Sequence, residues 1–141
     1  MYSSLVRFMQ RGPVSPAVHG TLDYLLAATL IAAPLVLHFH DETAKAFVLA
    51  VGGAASLLAV GTAWSRGIVR VVPPVVHGLA DVGATVALIV APFVLGYSSH
   101  TLAMVFCVAA GAGGLGAVLM TRFVSDLAPM APVFGLAHPA R

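Results

Sequence analysis

The residues of this sequence best suited to chemistry form two histidine–aspartate pairs: His19 with Asp23, and His77 with Asp81. Both pairs have i, i+4 spacing, which places the two side chains on one face of a helix. Two imidazoles and two carboxylates can ligate zinc, iron or manganese, and two imidazoles alone can ligate a haem iron from its two faces. Histidine and aspartate inside a helix bundle can also relay protons or line a cation path. The four residues are therefore candidate metal ligands, and His19 and His77 are candidate axial ligands of haem.

The same residues also allow a purely structural interpretation. Each histidine can hydrogen-bond the aspartate of its own pair, or the aspartate can bond across to the other repeat, and such polar contacts hold helices together in membranes. The sequence contains no CxxCH, HExxH or phosphate-binding glycine motif and no arrangement of a nucleophile beside a base. No catalytic residue is therefore assigned, an enzyme is not expected, and the cofactor is left unknown, with haem and a divalent metal as the candidates.

The composition indicates a membrane protein. The chain has 141 residues, of which 60% are hydrophobic and 9% charged, and its mean hydropathy is +0.99. Soluble domains carry roughly 25% charged residues, so this chain cannot cover a water-facing surface. Four apolar segments reach the roughly 20 residues that a bilayer span needs, namely 16–38, 44–63, 75–96 and 101–121. The predicted fold is all-α, a bundle of four transmembrane helices. The sequence has no basic stripe with interleaved aromatic residues, so nucleic-acid binding is not expected.

Short polar turns and the positions of the arginines predict the topology. Polar residues between the first and second segments, and between the third and fourth, make each pair of helices an antiparallel hairpin. The predicted division is a cytoplasmic segment 1–15, a first hairpin 16–63, a cytoplasmic linker 64–74, a second hairpin 75–121 and a cytoplasmic tail 122–141. If the spans alternate, one side of the membrane holds Arg7, Arg11, Arg66, Arg70 and Arg122, and the other holds only Lys45. The positive-inside rule then places both termini in the cytoplasm of a multi-pass inner-membrane protein.

The two hairpins read as copies of one unit. At an offset of 58 residues (77 − 19) they align without a gap into the second helix of each hairpin. The matched residues include Pro16 and Pro74, His19 and His77, Asp23 and Asp81, Pro34 and Pro92, and Gly53 and Gly111. Because each unit crosses the membrane twice, the copies enter from the same side and form parallel repeats about an axis along the membrane normal. The two histidine–aspartate pairs should therefore lie at equal depth.

Small residues and prolines predict how these helices pack and end. The second and fourth segments carry Gly52, Gly53, Gly111, Gly113 and Gly114, which allow close helix contact within the chain or with another subunit. Pro34 and Pro92 fall near the ends of their helices, where each removes a backbone hydrogen bond and bends the helix end.

Two short motifs resemble a known family. Residues 33–39 read APLVLHF and residues 91–97 read APFVLGY, which is similar to the SPWxLGF signature of the SPW-repeat family of small bacterial integral membrane proteins. The resemblance covers about residues 16–121 and implies two transmembrane helices per repeat, with the motif late in the first. The departures are Ala33 and Ala91 for serine, Leu35 and Phe93 for tryptophan, and His38 for the glycine that Gly96 keeps. The resemblance implies a fold but no activity.

The sequence is compatible with three classes of function. The leading one is a structural or accessory subunit that packs beside a larger membrane assembly or self-associates, with the lipid bilayer, other membrane subunits or a second copy as its partners. The alternatives are a haem- or metal-binding electron-transfer protein and a small proton or cation transporter. A further polar group near the turns is expected to be solvated, although a surface metal site is conceivable there; it comprises His38, His40, Asp41, Glu42 and His100.

Overall fold

A computed structural model describes residues 12–63 and 65–122 of the protein, and these residues form four long helices. They are α1 (Pro16–Val36), α2 (Glu42–Gly61), α3 (Pro74–Val94) and α4 (Thr101–Leu119). Each is long and apolar enough to cross a membrane. The prediction of an all-α, four-helix bundle is confirmed. The predictions for Arg7, Arg11 and most of the cytoplasmic tail lie outside the described residues.

Three of the four helices, α1, α2 and α3, begin at residues that their capping chemistry favours. Ser15 accepts a hydrogen bond from the backbone N–H of Val18 at 3.3 Å, and Asp41 accepts one from Ala44 at 2.7 Å. Proline occupies the first position of α1 and α3, where its missing N–H leaves no orphan donor.

Each helix ends two residues earlier than the predicted span, at residues 36, 61, 94 and 119. In the hairpin turns the cause is a left-handed residue, His38 with φ 51° and Gly96 with φ 81°, which cannot continue a right-handed helix. Pro34 and Pro92 lie inside α1 and α3, two residues before their ends, and both are fully buried. Their backbones supply no donor to the carbonyl group one turn earlier.

The hairpins α1–α2 and α3–α4 meet through α1 against α4 and α2 against α3. Two short backbone pairings close this arrangement at the end of the bundle where α1 and α3 begin. Val14, just before α1, pairs with Thr121, just after α4, while Val72 pairs with Thr62, just after α2. We call this end the His–Asp end and the opposite one, with residues 37–41 and 95–100, the turn end. In each pairing, a threonine that follows the second helix of one hairpin lies beside a valine that precedes the first helix of the other hairpin.

The second helices do not follow the ungapped alignment. The buried positions of α2 and α4 correspond at an offset of 59: Ala44 with Ala103, Val48 with Cys107, Gly52 with Gly111, and Ala59 with Val118. The first helices keep the offset of 58, as Leu30 and Leu88 show. The change arises in the turns, because the second turn has six residues and the first has five. The predicted match of Gly53 with Gly111 is therefore wrong by one residue.

Three of the glycines singled out above sit where helices approach closely. A Cβ atom would lie 2.9 Å from Ile31 Cγ1 at Gly52, 2.7 Å from the Thr85 carbonyl oxygen at Gly111, and 2.7 Å from Thr85 Cγ2 at Gly114. Such short distances leave no room for a side chain. Gly53 and Gly113 differ, because a Cβ atom there would have no neighbour within 4 Å. These two glycines are not packed against the rest of the described chain.

The bundle's interior between the two ends is largely apolar, with Thr85 as a buried polar residue, and its outside is apolar as well. A cluster of buried residues that includes Leu30, Val48, Leu88 and Cys107 fills the centre. Large hydrophobic side chains also cover the outer surface, with Leu57 76% exposed. An apolar outer face over helices about 30 Å long is what the hydrocarbon layer of a membrane requires.

Candidate functional site

The two predicted histidine–aspartate pairs meet inside the bundle at the His–Asp end. Across the hairpins, His19 Nε2 lies 3.1 Å from Asp81 Oδ2, and His77 Nε2 lies 3.1 Å from Asp23 Oδ2. Within each pair the imidazole Nε2 lies 3.5 Å from Asp23 Oδ1 and 3.0 Å from Asp81 Oδ2. The contacts are reciprocal, so each hairpin gives the other a histidine and an aspartate. We call these four residues the His–Asp cluster.

The His–Asp cluster is shielded from its surroundings. Both histidines are 1% exposed, and the side chains of Asp23 and Asp81 are 14% and 16% exposed. The two imidazole rings are 6.0 Å apart between centroids and are inclined at 73°. Ionisable groups buried this deeply among apolar helices require partners that balance their charge.

Two threonines that the sequence reasoning missed complete the arrangement. Thr121 Oγ1 lies 2.9 Å from His19 Nδ1, and Thr62 Oγ1 lies 2.6 Å from His77 Nδ1. Both threonines are buried. The ungapped alignment concealed them because it pairs Thr62 with Met120, whereas the true offset of 59 pairs Thr62 with Thr121. The recurrence of threonine after each second helix was the signal, and it appears only once the longer second turn is recognised.

The threonine hydroxyls determine which nitrogen of each histidine carries a proton. Thr62 donates its one hydroxyl proton to the Leu58 carbonyl at 2.6 Å, and Thr121 donates to the Ala117 carbonyl at 2.7 Å. Each hydroxyl must therefore accept a hydrogen bond from the histidine Nδ1–H. A neutral imidazole protonated at Nδ1 presents a lone pair at Nε2, and that nitrogen faces carboxylate oxygens. A proton or a metal ion must accordingly lie between each Nε2 and its carboxylates.

A haem does not fit between these histidines. For His19 and His77 to act as axial ligands, the porphyrin plane must pass between their Nε2 atoms. Oxygens of Asp23 and Asp81 lie 3.0 to 3.5 Å from those nitrogens and occupy that space. The arrangement favours a single small cation over a macrocycle.

The polar group at the turn end does not converge in the same way. Asp41 caps α2 and lies 3.6 Å from His100 Nε2, and Lys45 Nζ pairs with Glu42 Oε1 at 2.7 Å. Within residues 12–63 and 65–122, the His–Asp cluster is the group of three or more potential ligands close enough to share an ion. Most of these turn residues are exposed, as loop residues commonly are, namely His38, His40, Glu42 and His100.

A groove beside the His–Asp cluster runs between α1 and α4, and we call it the α1–α4 groove. It encloses about 350 Å³. Its α1 wall includes Leu22 and Leu25, and its α4 wall is made of small residues, Ala109, Gly113 and Ala117. Asp23 and Asp81 line one end of it. At the offset of 59 the corresponding residues of α2 are Ala50, Ala54 and Leu58, which are larger at two of three positions.

Comparison with known proteins identifies a family. The model of the SPW repeat domain matches residues 17–121, which include the His–Asp cluster and both threonines. No curated protein and no solved structure matches the chain. Together with four apolar helices, this match makes the chain a small polytopic membrane protein. The protein belongs to the SPW repeat domain family.

Proposed function

We propose that this protein is a non-enzymatic structural or accessory subunit of a membrane assembly. In this proposal the His–Asp cluster joins the two hairpins into one body, and the α1–α4 groove accepts a transmembrane helix of a neighbouring subunit. The observation that carries the proposal is the groove, with its wall of small residues.

The α4 wall of the groove has the chemistry of a helix contact. Ala109, Gly113 and Ala117 follow one another at intervals of four residues, so they form a single stripe along α4. Gly113 is exposed, and no atom would touch a Cβ placed there. Stripes of this kind let two helix backbones approach in lipid, where packing and not hydrophobicity drives association.

The opposite wall supplies the shape that such a contact needs. Leu22 and Leu25 of α1 are 39% and 60% exposed beside the stripe. Side chains of an incoming helix would lie between these leucines and the small residues of α4. Such an arrangement gains dispersion contacts that lipid chains make less well.

The charges outside the bundle support an inner-membrane location with both termini in the cytoplasm. Arg66 and Arg70 lie in the connection between the hairpins, and Arg122 follows α4, all at the His–Asp end. Lys45 lies in the first turn of α2, at the turn end. Under the positive-inside rule, the His–Asp end is the cytoplasmic one.

A transport role has less support than a structural one. A cation path would have to continue from the His–Asp cluster through the bundle. Among the described residues, the buried interior beyond the cluster is largely apolar and includes Leu30, Leu88 and Val48. The buried hydroxyl of Thr85 donates to backbone carbonyls of its own helix. Such an interior offers few ligands to a moving ion.

The substitution Gly113→Leu tests the proposal, because it fills the groove and leaves the packed interior alone. The matched control is Gly53→Leu, which also replaces a glycine with no neighbour around its Cβ position but lies outside the groove. Sedimentation in mild detergent after extraction from native membranes measures the assembly. We expect the wild type and the control to sediment as an assembly larger than one 14.4 kDa chain, and Gly113→Leu to lose it. A wild type that sediments as a single chain would refute the proposal, as would an assembly unaffected by Gly113→Leu.

A further inference from the structure

We infer that the His–Asp cluster is a binding site for one divalent transition-metal ion, with zinc as the best match. The ligands would be Nε2 of His19 and His77 and one carboxylate oxygen each from Asp23 and Asp81. The inference goes beyond the accessory role and is independent of the α1–α4 groove. Either can fail while the other stands.

The spacing of the four potential ligand atoms matches a small coordination shell. All of them lie within 4.8 Å of one another. Asp81 Oδ2 lies 3.1 and 3.0 Å from Nε2 of His19 and His77, whereas Asp23 presents Oδ1 to His19 at 3.5 Å and Oδ2 to His77 at 3.1 Å. A tetrahedral zinc site, with bonds of about 2.0 Å, separates its ligand atoms by about 3.3 Å. One ion can therefore bind with only small movements of the side chains.

The threonines provide the second requirement of a metal site, which is a histidine held in the correct tautomer. Because Thr62 and Thr121 accept from Nδ1–H, the lone pair of each imidazole lies on Nε2, the atom that points into the cluster. Metal-bound histidines commonly donate their other ring N–H to such a partner, which fixes the ring's orientation and makes the ligand more basic. The same device occurs here twice.

Charge balance favours a doubly charged ion. Two carboxylates carry two negative charges, and two neutral imidazoles carry none, so one divalent ion makes the His–Asp cluster neutral. Neutrality lowers the cost of burying ionic groups among apolar helices.

The donor set selects the kind of ion. Calcium takes six to eight oxygen ligands and magnesium requires an octahedral shell with several waters, whereas this site offers two nitrogens and two oxygens. Imidazole and carboxylate ligands suit zinc, iron and manganese, and four protein ligands in a tetrahedron are typical of structural zinc.

Cobalt provides a direct test, because tetrahedral Co²⁺ absorbs visible light and substitutes for zinc. Full-length protein in detergent is stripped with a chelator, titrated with Co²⁺ and then challenged with Zn²⁺. We expect one Co²⁺ per chain, with an absorption band typical of tetrahedral coordination that Zn²⁺ abolishes. Asp81→Asn, which preserves the size of the side chain, should lose stoichiometric binding, whereas His40→Ala at the exposed turn end should bind as the wild type does.

The threonines provide a separate measurement. Thr62→Val removes the acceptor for His77 Nδ1–H and should weaken Co²⁺ affinity by about 10- to 100-fold, whereas Thr62→Ser should restore it. Circular dichroism and elution volume establish that each variant keeps the helical bundle. The inference is overturned if the native, folded protein binds less than a tenth of an equivalent of Co²⁺, or if Asp81→Asn and His40→Ala bind alike. A folded protein without metal leaves the accessory role intact.

Discussion

The two ends of the bundle differ in the residues that each hairpin contributes and in how these residues interact. At the His–Asp end both hairpins contribute histidine, aspartate and threonine, and every contact recurs with the roles of the hairpins exchanged. At the turn end and in the buried core beside it, the equivalent positions carry different residues. The first hairpin has Phe39 and Val48, and the second has Tyr97 and Cys107.

The difference shows what each kind of contact demands of its residues. Hydrogen bonds between buried groups require a matching donor and acceptor, so a change in one hairpin leaves a group in the other unsatisfied. An apolar core requires mainly that volume be filled. The buried polar atoms of this region form a pair, with Tyr97 Oη 3.6 Å from Cys107 Sγ. Burial raises the pKa of the Tyr97 hydroxyl above its usual range, so the hydroxyl keeps its proton well above neutral pH.

The strongest challenge to the symmetry of the His–Asp end is to remove one histidine. His77→Ala leaves two buried carboxylates with one imidazole and should lower the free energy of unfolding by about 3 kcal/mol or more. Because the contacts are reciprocal, His19→Ala should have nearly the same effect. Unfolding by SDS in mixed micelles measures both, with His40→Ala as the control. Clearly unequal losses for the two variants would contradict the equivalence of the hairpins.

At the turn end, a double-mutant cycle measures how far Tyr97 and Cys107 depend on each other. Tyr97→Phe alone and Cys107→Val alone should each cost about 1 kcal/mol, because each leaves a buried polar atom without its partner. The double variant recreates the Phe and Val of the first hairpin and should cost less than the sum of the two. Strict additivity in the same unfolding assay would mean that the two polar atoms do not interact.

The smallest expected effect concerns the two left-handed turn residues. His38→Gly should stabilise the protein by about 0.5–1 kcal/mol, since glycine adopts φ 51° without the steric cost that a side chain brings. Gly96→Ala should destabilise it by about 1 kcal/mol for the opposite reason. Thermal unfolding of the two variants in one detergent checks both signs. A destabilising His38→Gly would show that the imidazole makes a contact worth more than the backbone strain.

The helices and their pairing could be predicted from the sequence, because apolar length and helix caps are local properties. The pairs His19–Asp23 and His77–Asp81 were also recognisable, since i, i+4 spacing needs no tertiary information. The partner that each histidine takes across the hairpins was open, because it depends on how the hairpins pack. Thr62 and Thr121 were not predicted, for a different reason. Glycine and alanine recur so often in α2 and α4 that the sequences match in either register, and one extra turn residue goes unnoticed.

The pairings of Val14 with Thr121 and of Val72 with Thr62 have a consequence for how the chain is connected. Residues 63–71 join one of these places covalently, while the other is held by hydrogen bonds alone, yet both bring a threonine to a histidine. The contacts between these threonines and histidines thus do not depend on which of the two places is joined covalently. A circularly permuted chain that begins with the second hairpin, with its original ends fused, would present the same histidine, aspartate and threonine contacts. The two hairpins expressed as separate polypeptides would likewise have every surface they need to find each other.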